Sequence, residues 1–304
     1  MLSGRTLAVA AAFVAGVLLS LWLRGMKYAP HEGSDGDNDL GRIERIVTMS
    51  PAVSEIVFAL GGEHRVVGVS QYTTYPPATR RKPKCGGAFN PNFERIVALR
   101  PQLIITQGLA EEVDEFARRN GIRFLSVELT DLESVYAAIA TIGDALGLPE
   151  QATDLGRRMR GRMDEISESV SDRPPVDTML ITGSEPETLR SINVVGPGSF
   201  LHDVLTRAGG RNIFADLSRR YAAVSKEAIA ERAPRVIIEL HGEGKLEPTT
   251  REQIKTTWAA MPGLPAVRNG RIHAVGETWA MIPGPRVVKL AERFAAILHP
   301  GRKD

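Results

Sequence analysis

Two carboxylates stand at matching places in an internal repeat. The stretch Glu94-Arg95-Ile96-Val97-Ala98-Leu99-Arg100-Pro101-Gln102-Leu103-Ile104-Ile105 aligns without gaps on residues 227–238. In both copies a glutamate, Glu94 or Glu227, precedes a proline by seven residues, and a Leu/Val-Ile-Ile run follows. A carboxylate in the first turn of a short helix complements the helix dipole, for about 0.3–1 kcal/mol. Asn92 and Ser225, each two residues ahead of the glutamate, are suitable N-caps. Other chemistry is sparse. The six histidines (His31, His64, His202, His241, His273 and His299) show neither H-x-H nor H-E-x-x-H spacing, so no metal site is expected. Cys85 is the single cysteine, which excludes an internal disulfide and a thiolate cluster and reads as an inert thiol. No G-x-S-x-G, Walker loop or G-x-G-x-x-G occurs, and Gly196-Pro197-Gly198-Ser199 reads as a cap ahead of Phe200. We expect neither catalysis nor a resident cofactor. With 38 basic against 36 acidic residues spread along the chain, and no long single-sign block, no nucleic-acid partner is expected either.

The elements that must carry these residues alternate. From residue 43 onward short β-branched runs and helical patterns follow one another, which predicts an α/β fold with mostly parallel sheets. At 304 residues and 43% hydrophobic content, two lobes are the default. An N-terminal lobe (42–131) contains predicted strands 43–48, 66–69, 103–106 and 124–127, with helices 51–60, 92–99 and 111–120 between them. Residues 132–172 have apolar side chains near helical spacing and should bridge the lobes, as one kinked helix or two abutting ones around Gly143, Gly147 and Pro149. A C-terminal lobe (173–304) follows, with strands 178–182, 236–240 and 271–275 and helices 200–208, 226–232, 252–260 and 286–298.

Ahead of the lobes, residues 7–23 are apolar apart from Ser20 and follow Arg5. This is the pattern of an export signal or a membrane anchor within residues 1–29. No lipobox cysteine and no clean small-x-small cleavage site follow it, which favours an uncleaved anchor and an extracytoplasmic body. Residues 30–41, rich in Asp and Gly, read as a flexible linker.

Taken together, Thr48-Met49-Ser50-Pro51-Ala52-Val53-Ser54-Glu55, Val67-Gly68-Val69-Ser70, Tyr75-Pro76, the residue 90–101 segment and Val224-Ser225-Lys226-Glu227 resemble the class III, helical-backbone substrate-binding proteins of ABC importers for cobalamin, ferric siderophores and haem. The resemblance runs from about residue 42 to residue 300 and is nearest to the vitamin B12-binding type. It implies two α/β lobes joined by a rigid helix, with ligand in the cleft between them. It further implies that Glu94 and Glu227, one per lobe, dock onto a permease dimer, a role suited to two rim charges held at fixed spacing.

Ligands of open α/β sheets bind at the carboxyl ends of strands. The candidate loops are therefore 49–51, 70–75, 87–90, 183–191, 219–221 and 277–281, and they supply Met49 and Ser50 as candidate ligand contacts. Within them Tyr72, Tyr221 and Trp279 fall where the resemblance implies aromatics packed on a corrin. Ala88 departs from that pattern, with Phe89 as its substitute. A ferric siderophore would instead use Arg190, Arg219, Arg220 and Arg286, and haem would take a tyrosine ligand from Tyr72, Tyr75 or Tyr221. A corrinoid ranks first. A membrane-tethered sensor without a permease, or an α/β enzyme, is the alternative of another class.

Overall fold

The computed structural model describes residues 42–301 apart from 88, 184–188, 190–191 and 243–245. The expected signal or anchor and linker, together with Arg190 and Ala88, lie outside the described residues. Residues 42–304 form one unit.

The first lobe is a four-stranded parallel sheet in the order β2-β1-β3-β4, built from β1 (Ile46–Thr48), β2 (Val66–Val69), β3 (Leu103–Gln107) and β4 (Arg123–Val127). Three helices connect them: α1 (Pro51–Ala59), α2 (Phe93–Ala98) and α3 (Glu111–Arg119). Helix α1 starts where the sequence says it should. The Ser50 hydroxyl accepts from Val53 N and Pro51 occupies the first turn, where its missing N–H costs nothing. Residues 52–58 of α1 are all buried, polar Ser54 and Glu55 included, so this helix is enclosed rather than surface-amphipathic.

The expected bridge is a pair of helices, α4 (Leu132–Leu146) and α5 (Pro149–Glu168). Asp131 and Ser134 form a capping box at the start of α4, Gly147 ends it at φ 67°, and Pro149 opens α5. The two lie antiparallel. Arg160 on α5 reaches back to Glu133 at the start of α4 with bonds of 3.0 and 2.9 Å and lies 3.8 Å over the Tyr136 ring. Gly143 sits so close to Ala152 that a Cβ there would overlap it. The long connection is thus a hairpin and not a single rod.

The second lobe has a sheet in the order β10-β9-β5-β6-β8, from β5 (Val176–Gly183), β6 (Ile192–Val195), β7 (Gly210–Asn212), β8 (Tyr221–Val224), β9 (Val236–Leu240) and β10 (Ile272–Val275). Strand β7 pairs with the start of β5. Strands β7, β9 and β10 run parallel to β5, whereas β6 is antiparallel to both β5 and β8. Strands β6, β7 and β8 are additions to the sequence reading. Around the sheet lie α6 (Phe200–Arg207), α7 (Lys226–Arg232), α8 (Pro248–Trp258), α9 (Pro265–Arg268) and α10 (Val287–Leu298).

The sequence suggests two cores, but the main hydrophobic cluster is continuous. It runs from Ile46 and Ile56 in the first lobe, through Ile139 and Met163 of the bridge, to Leu205 and Phe294 in the second. Each lobe adds a satellite cluster on its far face, one around Ile104 and Val113 and one around Ile237 and Trp258. Polar links cross the same boundary. Asp203 of α6 accepts from Leu132 N at the start of α4 (2.9 Å), and Phe200 N donates to Thr130 O (2.8 Å).

Candidate functional site

The internal repeat is structural as well as sequential. Glu94 lies in the first turn of α2, whose cap Asn92 accepts from Arg95 N at 2.9 Å. Glu227 lies in the first turn of α7, whose cap Ser225 accepts from Ala228 N at 3.3 Å. Each helix ends at a non-glycine residue in the left-handed region directly before the repeat proline: Arg100 at φ 46° and Ala233 at φ 45°. Each then enters a buried strand, β3 or β9, that pairs in parallel with the lobe's first strand. Both glutamates are exposed, and hydrogen bonds from Ser225 and its own backbone hold the Glu227 carboxyl below the usual carboxylate range.

At the carboxyl ends of the first lobe's strands the Tyr72 loop is pinned from beneath. Four fully buried hydroxyls form a chain: Thr48 to Ser54 (2.7 Å), Ser54 to Thr73 (3.3 Å) and Thr73 to Ser70 (2.9 Å). Lys84 adds a bond from Nζ to Thr73 O. The main chain at Tyr72 is therefore fixed while its ring, 65% exposed, faces outward, leaning on Gly87, where a Cβ would come within 3.0 Å of the ring. Phe89 projects almost fully exposed.

Three residues then join the lobes. Arg286, just ahead of α10, grips Glu55 of α1 with both carboxylate oxygens engaged (Nε to Oε2, 2.8 Å), and its guanidinium lies 3.8 Å over the ring of Tyr75. Glu55 is 3% exposed, and burial pushes its carboxyl above the ordinary range against the opposing hydrogen bond and charge of Arg286. The partners are 231 residues apart, which is why sequence spacing gives no signal of the pair.

On the second lobe, Trp279 sits in the short 3₁₀ turn Thr278–Met281 after β10, partly buried against the main core. Tyr221 is not in a loop but opens β8 opposite Val195. Burial raises its phenol pKa, with Arg220 pulling the other way. Behind it, Gly196 N donates to Arg220 O at 2.7 Å, and a Cβ at Gly196 would strike Arg219 O.

The candidate contacts therefore fall into two groups. The Tyr72 loop is brought to the segment directly ahead of α10, because Tyr75 at its end touches Arg286, and Trp279 lies seven residues upstream of that arginine. No hydrogen bond or ring contact joins Tyr221, Phe89 or Trp279 to that junction among the described residues. Met49 and Ser50 require correction. Met49 is 2% exposed inside the first lobe's satellite core, and the 8% exposed Ser50 uses its hydroxyl to cap α1, so neither side chain presents itself to a ligand. Of the arginines, Arg286 is committed to Glu55, whereas Arg219 and Arg220 are exposed. Two polar atoms near strand ends, Thr106 Oγ1 and Glu277 Oε2, are buried without a hydrogen-bond partner among the described residues. No cluster of three His, Cys, Asp or Glu capable of holding a metal occurs among the described residues. Burial raises the Cys85 thiol to about 11, so it stays protonated.

Residues 46–277, spanning both sheets and the bridge, match the family model described as periplasmic binding protein. The chain belongs to the periplasmic binding protein family. It is 27% identical over 256 residues to the vitamin B12-binding protein of Salmonella paratyphi A, covering 84% of this chain and 90% of that one. Among solved structures it is similar to the periplasmic vitamin B12-binding protein of Vibrio cholerae (TM-score 0.70, 25% identity, 86% and 99% of the two chains). It is equally similar to a periplasmic heme-binding protein of Pseudomonas aeruginosa (TM-score 0.72, 25% identity, 86% and 94%). These relatives share the two-lobed α/β architecture of the present family member. Among the described residues no helix is long and apolar enough to cross a membrane.

Proposed function

We propose that this chain is the extracytoplasmic substrate-binding component of an ABC importer, that it captures a corrinoid between its lobes, and that Glu94 and Glu227 dock it onto the permease dimer. The observation that carries the reading is the contact of the Tyr72 loop, at Tyr75, with Arg286 of the second lobe across the lobe boundary. Aromatic rings on a main chain pinned by buried hydroxyls suit a large flat macrocycle, whose burial is driven by apolar area. The relatives named as vitamin B12-binding support the same cargo.

A ferric siderophore is the second reading, supported by exposed Arg219 and Arg220. It is weakened because Arg286 is already neutralised by Glu55. Haem ranks third: a tyrosine iron ligand acts as phenolate, and of the three candidate tyrosines Tyr221 has its phenol pushed the other way by burial. Membrane attachment through residues 7–23 belongs to the same proposal.

The test is tryptophan fluorescence of protein comprising residues 42–304. Trp258 in it is fully buried, so Trp279 is the responsive reporter. Saturable quenching by cyanocobalamin, reproduced by calorimetry and weakened by Trp279→Ala, is the expected result. Binding of a ferric siderophore or haemin in its place would reassign the cargo, and binding of none of the three would refute the chelate-importer reading.

A further inference from the structure

A cationic groove lies on the first lobe, lined by none of the residues that form the lobe junction. Its cavity of 580 Å³ is walled by Arg81, Lys82, Lys84 and Arg95 and floored in part by Ala98 and Leu99 of the α2 region. Residues 81–84 of the wall belong with the adjoining Arg80 to the run Arg80-Arg81-Lys82-Pro83-Lys84, four cations in five positions with no acid among them. Lys84 and Lys82 are tied by their Nζ atoms to backbone carbonyls, of Thr73 and of Glu63, which fixes the run without neutralising it. Arg80 and Arg81 are exposed and have no ion-pair partner among the described residues.

Three features converge on this groove. Arg95 on its wall is the immediate neighbour of Glu94 on α2. Leu99 on its floor accepts from the guanidinium of Arg45 (3.0 Å from Nε), which stands three residues after the first described residue. Ahead of Arg42 the sequence holds 18 residues (24–41) and then the apolar run 7–23. Eighteen residues span about 25 Å as a coil and at most about 60 Å fully extended. A groove so placed stays within reach of whatever surface holds the apolar run.

We infer that this groove is a docking surface for the anionic headgroups of the membrane bilayer, with Arg80, Arg81, Lys82 and Arg95 meeting lipid phosphates. An acidic protein loop would need a complementary shape, whereas a bilayer asks only for a cationic face with an apolar floor close to the surface. Docked in this way, the first lobe turns α2, and with it Glu94, toward the membrane plane. The inference rests on the proposal that residues 7–23 lie in a bilayer, and the two are tested separately.

Protein of residues 42–304, which closes all three hydrophobic clusters within itself, is sedimented with phosphatidylcholine vesicles and with vesicles containing phosphatidylglycerol. Binding is expected to the second kind only and to fall with added salt. Each basic residue near an anionic surface contributes roughly fivefold, so Arg80→Gln, Arg81→Gln and Lys82→Gln together should weaken binding roughly a hundredfold. A charge-matched control on other elements, Arg157→Gln, Arg158→Gln and Arg293→Gln, should change it less than about threefold. Should the triple variant lose its native melting transition, Arg81→Glu alone takes its place, with an expected loss of at least tenfold. The inference is overturned by absence of binding to phosphatidylglycerol, by equal losses in both variant sets, or by binding to heparin without binding to vesicles, which would assign the groove to another polyanion. Flotation of the full chain with phosphatidylcholine vesicles reports on residues 7–23 alone.

Discussion

Replacing Arg286 by Met removes the guanidinium from a Glu55 carboxylate that is 3% exposed, while keeping an apolar group on Tyr75. Breaking a buried pair from one side costs about 3–5 kcal/mol, because the remaining charge is left uncompensated. Glu55 has an escape, however, since it can take up a proton. Relative to the ordinary 4.5 of a glutamate, that protonation costs about 1.36 kcal/mol for each pH unit above it. The electrostatic loss in Arg286→Met therefore has a ceiling of about 3.4 kcal/mol at pH 7 and only about 0.7 kcal/mol at pH 5. Glu55→Gln should behave differently. Arg286, 12% exposed, keeps its stack on Tyr75 and can turn toward water, so a loss of about 1–2 kcal/mol with little pH dependence is expected. Urea unfolding of the two single variants and the double variant at both pH values yields the losses and the coupling between them. An Arg286→Met penalty as large at pH 5 as at pH 7, or a coupling near zero at pH 7, would refute the claim that this charge pair holds the lobes together.

Gly209 adopts φ 80° and a Cβ there would strike the His299 ring, so Gly209→Ala should lower stability by about 2–3 kcal/mol in the same urea assay. Ala233 adopts a left-handed conformation before a proline, and Ala233→Gly should raise stability by about 0.5–1 kcal/mol, read as an upward shift of the melting temperature. Thr73→Val removes the central hydroxyl of the buried chain beneath Tyr72 and should cost about 1–3 kcal/mol, with faster amide exchange across residues 70–75. His273 and His299 both titrate below the ordinary 6.5, chiefly because burial disfavours the imidazolium. The unfolded chain then binds protons first, so stability is complete above about pH 6.5 and declines as pH falls through that value toward the native ones; His273→Gln should flatten this decline in acid-titrated melts.

The parts of the fold that were legible are those written in local pattern. Parallel alternation, the caps at Ser50, Asn92 and Ser225, and the break near Gly147 and Pro149 all follow from residue type within a few positions. The Glu94 and Glu227 helices were legible because one local design occurs twice. Strand β8 was not, since Tyr-Ala-Ala-Val is short and half alanine, and neither was β6, whose four residues gain their meaning from antiparallel partners on both sides. Sequence also misassigned Met49. A residue at a strand's carboxyl end can point into the sheet's far core as readily as toward a cleft, and only the neighbours around Ile104 decide which. The Glu55–Arg286 pair had no sequence signature because neither residue type nor spacing links positions 231 apart.

The unbroken core has a bearing on how such a molecule can be cut. The two lobes repeat a motif and look like modules, yet Ile56, Ile139, Met163, Leu205 and Phe294 share one apolar interior. A lobe released at residue 131 would present that interior to water as an open face, and each half would be expected to aggregate instead of standing alone. Chimaeras that exchange lobes with a relative should accordingly succeed only when both bridge helices and the opposing α10 travel as a set, whereas exchanges confined to the outer satellite clusters should be tolerated one lobe at a time.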